Sequence, residues 1–174
     1  MPINLAKPKP APVAIKPAAL GSISHGTLRP EDLLTAFISE MEWQQNRNGK
    51  YLSEPEHFQE RDRLARIIGE AQDCFAEDGE DIDPEKEEEA QELINETIPD
   101  LLQSMFAPPY CYFGSHPGDG SDFGYWPDSE QIDELPNVEN SDEAKELGED
   151  CKYVNDHGNV TVYGGDGTTL IDFV

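Results

Sequence analysis

One imidazole and two carboxylates fall within seven residues in the stretch Phe113-Gly114-Ser115-His116-Pro117-Gly118-Asp119-Gly120-Ser121-Asp122-Phe123-Gly124. His116 can exchange a proton near neutral pH. Asp119 and Asp122 supply the hard oxygens that Ca2+ or Mg2+ prefers, so they are the candidate metal ligands. The glycines let the backbone turn sharply and approach a ligand closely. The stretch lacks the spacing and the terminal Glu of an EF-hand loop, and Pro117-Gly118 and Asp119-Gly120 are also ordinary turn dipeptides. Trp126, beside Tyr125, could stack a sugar or a base, although strands of a small core need large aromatics in any case. His157 lies in Asp156-His157-Gly158-Asn159, a turn sequence. If the last strands pair beside the aromatic ones, His157 and His116 share one end of a sheet. His116, Asp119, Asp122, Trp126 and His157 therefore make up the candidate ligand set of a 113–126 loop.

The remaining chemistry-bearing residues read more plainly. His25 sits in a turn before a helix, and His57 in the first turn of another. Cys74, Cys111 and Cys151 are odd in number and form no CxxC or zinc spacing, so they read as reduced thiols. No GxSxG, P-loop, GxGxxG or HExxH motif occurs. With 37 acids, some carboxylate pair will always have hydrolase-like spacing. No catalytic residue is assigned.

The elements that must position these groups follow from periodicity. Residues 1–23 read as a flexible tail rich in proline and lysine: Pro2, Pro8, Pro10, Pro12 and Pro17 favour extended chain. A helix starts at Pro30, with Leu33, Leu34, Phe37, Ile38 and Met41 on one stripe, and fades near Asn46–Gly49. A second is predicted from a Ser53/Glu56 capping box, burying Leu64, Ile67, Ile68, Ala71 and Phe75. A third starts at Asp83-Pro84, is kinked or restarted at Pro99, and stops at Ala107-Pro108-Pro109. The period then changes to that of strands: Tyr110–Gly114, Phe123–Trp126, a hairpin of Lys152–Asn155 with Asn159–Tyr163, and Thr168–Val174. A short helix is expected around Ser141–Leu147. The predicted class is α+β: N-terminal helices over 30–106 packed on a small antiparallel sheet of four or five strands over 110–174, one acidic domain from 24 to 174.

Charge sets the partners. The 174 residues carry 37 acids against 12 bases, a formal charge of −25. Such a chain is repelled by nucleic acid and by anionic membranes. No apolar run reaches the length of a membrane span, and no signal peptide is expected, because no uninterrupted apolar core follows the N-terminal lysines. The acids cluster. Residues 77–100 hold 12 against Lys86 alone, and residues 119–150 hold 12 against Lys145 alone. Glu80, Asp81, Asp83, Glu87 and Glu88 in the first block, and Asp142, Glu143 and Glu146 in the second, form the candidate interaction surface.

Three segments together, Ser24-His25-Gly26-Thr27-Leu28-Arg29-Pro30-Glu31-Asp32-Leu33, Tyr112–Trp126 and Val154-Asn155-Asp156-His157-Gly158-Asn159-Val160-Thr161-Val162-Tyr163, resemble small acidic proteins carried by bacteriophages, plasmids and bacteria. The likeness spans residues 24–174, apart from the acidic inserts. It implies a bacterial cytoplasm and an accessory role on a mobile element, and it carries over no catalytic residue.

Three functions follow as expectations. The first is a non-enzymatic acidic protein that binds a basic, nucleic-acid-handling bacterial protein, with counter-defence by nucleic-acid mimicry as its sharpest form. It has no direct contact with nucleic acid or membrane, and no cofactor is required. The second is a module that binds Ca2+, Mg2+ or a small ligand at 113–126. The third is a small enzyme with His116 or His157 as base and Asp119 or Asp122 as its partner.

Overall fold

A computed structural model describes residues 13–174. In chain order these form β1 (Gly21–Ser24), α1 (Pro30–Arg47), α2 (Gly49–Leu52), α3 (Phe58–Gln72), α4 (Glu87–Glu92), α5 (Ile98–Phe106), β2 (Cys111–His116) and β3 (Asp119–Pro127). They continue as α6 (Ser129–Asp133), α7 (Ser141–Leu147), β4 (Cys151–Val154), β5 (Val160–Tyr163) and β6 (Thr169–Phe173). The class is α+β. The strands, however, form two antiparallel sheets of three, ordered β1-β3-β2 and β4-β5-β6, and not one sheet of four or five. The layout is also not helices followed by sheet, because β1 precedes every helix and pairs with β3 about a hundred residues later.

β1 explains both corrections. Residues 13–23 were expected to belong to the tail, yet Ala18 is buried and its N–H donates to the Phe106 carbonyl at 2.7 Å. The Lys16 N–H donates to Asn48 Oδ1 at 2.7 Å, and Arg47 donates to the Pro17 carbonyl at 2.9 Å. The remainder of the expected tail, residues 1–12, lies outside the described residues. β1 pairs Gly21 with Tyr125 and Ser22 with Gly124. The two backbones come so close that a Cβ on Gly124 would stand 2.0 Å from the Gly21 carbonyl oxygen. Only glycine fits there, and a Gly/Ser strand of four residues has no apolar alternation to announce it.

The helices follow their stripes. α1 begins at Pro30, buries Leu33, Leu34, Phe37, Ile38 and Met41, and ends at Arg47. The capping box does not form. Ser53 closes the preceding α2 turn, its hydroxyl donating to the Lys50 carbonyl at 2.8 Å, and a 3-10 turn (Pro55–His57) leads into α3. Asp83 does cap, accepting from the Glu85 N–H at 2.9 Å. Ahead of Pro99 the chain widens into a π turn (Leu93–Thr97). That widening is how a helix accommodates a ring that lacks an N–H and crowds the preceding turn. The main core joins these helices to the first sheet. Phe37 meets Phe113 edge-on at 5.4 Å and Phe123 at 5.8 Å, and Phe113 meets Tyr125 at 5.0 Å. The second sheet closes over smaller clusters: Cys111, Ile132, Val162 and Ile171, then Val138, Ala144 and Cys151. Tyr110 ties the two parts together. It takes φ +59° before β2, and its hydroxyl donates to Asp150 at 2.7 Å. Asp150 also accepts the Gly165 N–H at 3.0 Å.

Candidate functional site

The 113–126 stretch is a β-hairpin, not a loop. β2 continues to His116, β3 starts at Asp119, and Pro117-Gly118 makes the turn. The pleat and a bulge at Ser115/His116 separate the polar groups. His116 packs edge-on against Trp126 at 4.6 Å, and its Nδ1 accepts the Gly118 N–H at 3.0 Å. The Trp126 indole N–H donates to the Gly114 carbonyl at 3.0 Å. Together they line a groove of about 380 Å3 between the two sheets, with Leu20, Ser129, Phe173 and Val174 on its other walls.

The two aspartates are already engaged. Asp119 accepts from the Ser121 hydroxyl at 2.7 Å and its N–H at 3.0 Å. These bonds, with help from nearby His25 and His116, hold its carboxyl below the usual carboxylate range. Asp122 accepts from the Ser22 hydroxyl and faces His25 Nδ1 at 3.2 Å, which latches β3 to β1 and the turn beyond it. Among the described residues no group of three or more His, Cys, Asp or Glu side chains is placed to hold a metal ion. The structure thus brings His25 to Asp122, an association between residues 97 apart that no local spacing could reveal.

His157 does not join His116. It lies exposed in the β4–β5 turn of the other sheet, its N–H donating to Asn155 Oδ1 at 2.9 Å, and it does not line the groove. The two histidines, the alternative bases expected of an enzyme, therefore do not share one site. The thiols offer no nucleophile either: all three are buried, and burial pushes the Cys111 thiol up to about 12. His57 stacks on Tyr51 and faces Glu60 at 2.7 Å.

The acidic residues sort differently in the two blocks. Around α4, Glu80, Asp81, Glu87 and Glu88 are exposed, and among the described residues Lys86–Glu89 at 2.6 Å is the one ion pair of the 77–100 block. Asp81 and Glu87, with Glu31, rim a second groove of about 400 Å3 whose floor includes Ile82 and Ala90. In the second block more carboxylates have local work. Glu143 accepts the Glu139 N–H at 2.8 Å, Asp142 faces Lys145 at 3.7 Å, and Asp133 faces the largely buried Lys152 at 3.3 Å. Glu146 remains exposed.

No family model matches this chain, and no curated protein or solved structure matches it either. Among the described residues no helix is long and apolar enough to cross a membrane. The functional reading rests on the side chains themselves.

Proposed function

We propose that this chain is a non-enzymatic interaction protein that binds a basic bacterial protein, in the bacterial cytoplasm, through the carboxylates around α4. One observation carries this reading: Glu80, Asp81, Glu87 and Glu88 are exposed in a block of 12 acids that holds a single ion pair among the described residues. Unneutralised charge of one sign accelerates and selects encounters with charge of the other. The partner that fits best normally binds nucleic acid. Duplex DNA carries about one charge per 1.7 Å of axis, and a dense row of carboxylates competes for the same Lys and Arg side chains. The role on a mobile element would then be counter-defence by mimicry.

The test uses the tagged full chain and a bacterial lysate. A captured partner should be released by a DNA oligonucleotide at constant ionic strength. It should also be lost when Glu80, Asp81, Glu87 and Glu88 are changed together to Gln, Asn, Gln and Gln. Undiminished capture by that variant overturns the reading, and capture that DNA does not release discards the mimic.

A further inference from the structure

Four strand edges close the two sheets, and among the described residues two of them are occupied. On β2, Gln103 accepts the Phe113 N–H at 2.6 Å and donates to the Cys111 carbonyl at 3.2 Å, and the Tyr112 hydroxyl donates to the Ser115 carbonyl at 3.2 Å. On β4, the Val138 N–H donates to the Lys152 carbonyl at 2.9 Å, and the Lys152 N–H donates to the Pro136 carbonyl at 2.8 Å. β1 is only four residues long, and the Ser22 hydroxyl donates to the Ser24 carbonyl at 3.0 Å. β6 differs. Among the described residues its backbone pairs with β5 on one side and with nothing on the other. Its sequence, Thr169-Leu170-Ile171-Asp172-Phe173, is β-prone and carries no proline or lysine; a bulge at Leu170 and the charge of Asp172 are its only edge-protecting features.

We propose that the outer edge of β6 takes an extended, lysine- or arginine-bearing segment of a partner protein as a fourth strand, with an apolar side chain of that segment seated in the groove between Phe173 and Trp126. Main-chain hydrogen bonds along a free edge supply affinity, and a neighbouring pocket supplies selectivity. Both parts are contiguous here: β6 runs directly into the groove, whose walls include Phe173, Val174, Leu20, His116 and Trp126. Charge chooses the occupant. A second copy would bring another −25 against this one, whereas a basic strand relieves that charge and meets the exposed Asp172 on β6. The proposal rests on the basic-partner reading and adds how such a partner is held.

The test measures binding of a labelled peptide, acetyl-Lys-Thr-Val-Lys-Val-Thr-Leu-Lys-amide, to the full chain. Two control peptides are N-methylated at odd or at even positions, so that each loses the main-chain donors of one edge. The expected result is that one control binds at least tenfold more weakly than the parent, that Asp172→Lys weakens the parent, and that the parent slows amide exchange within residues 169–174. The exchange experiment needs no substitution and so stands even if a variant misfolds. Equal binding of all three peptides, abolished by the α4 neutralisations and indifferent to Asp172→Lys, overturns docking on β6 and leaves the basic-partner reading standing. Absence of binding by the parent peptide also overturns docking on β6, while the lysate capture judges the other reading separately.

Discussion

The two sheets are of equal strand number and opposite construction. The first joins residues a hundred apart, pairing β1 with β3, and packs Phe113 and Phe123 against Phe37 of α1, with Tyr125 against Phe113. The second is a meander of neighbours, β4-β5-β6, over clusters of three or four buried residues. Long-range pairing costs loop-closure entropy, which a large aromatic core can offset and a small cluster cannot. The chain thus places most of its buried core against the first sheet, and among the described residues the outer edge of β6 in the second has no partner strand. A unit with so small a core is the kind that opens sub-globally.

The contrast is most sharply tested in the cores. Phe37→Ala should cost about 3–5 kcal/mol, and Val162→Ala, which removes two methyl groups beneath the second sheet, about 2 kcal/mol. Denaturant unfolding measures both. Amides of β4–β6 should also exchange faster than those of β2 and β3, and equal rates would break the comparison. Next in size is Gly124→Ala, which drives a methyl into the Gly21 carbonyl and should cost about 1–3 kcal/mol by forcing β1 away. Its damage should fall on the first sheet and leave exchange in β4–β6 unchanged.

Tyr110 joins the two parts, so Tyr110→Phe should cost about 1 kcal/mol and loosen the second sheet before the first. The bond also has a pH signature. Donation to Asp150, followed by burial, pushes the Tyr110 hydroxyl up to about 12 from its ordinary 10. A group raised on folding stabilises while protonated in both states. That contribution is whole below pH 10 and is lost progressively as the pH rises towards 12. Melting curves across this window should fall more steeply for the native chain than for Tyr110→Phe. The smallest effect is expected at Tyr125. Its hydroxyl is buried without a hydrogen-bond partner among the described residues. Burial first, then the charge of the Glu40 carboxylate and its approach to the hydroxyl, pushes its ionisation upward, although the contact falls short of hydrogen-bond geometry. Tyr125→Phe should therefore be neutral or stabilising by up to about 1 kcal/mol. A clear loss of melting temperature would mean that Glu40 accepts this proton in solution.

Local pattern determined much of this protein. The start and stripe of α1, the Asp83 cap, the disturbance ahead of Pro99, the α7 segment and the β4–β5 hairpin all depend on residues within a few positions of one another, and they were legible for that reason. The charge imbalance is a property of composition and needed no fold. Tertiary structure decided the rest. β1 exists because Gly124, a hundred residues on, leaves room for the Gly21 carbonyl, and no periodicity in four Gly/Ser/Ile residues can encode that. Ser53 does not cap the start of α3, because it closes the end of α2 instead. The division into two sheets fixes which candidate residues meet: His25 with Asp122, and His116 with Trp126, but not His116 with His157. That β6 ends its sheet among the described residues is likewise invisible in sequence, because an edge is defined by the strand that is not beside it.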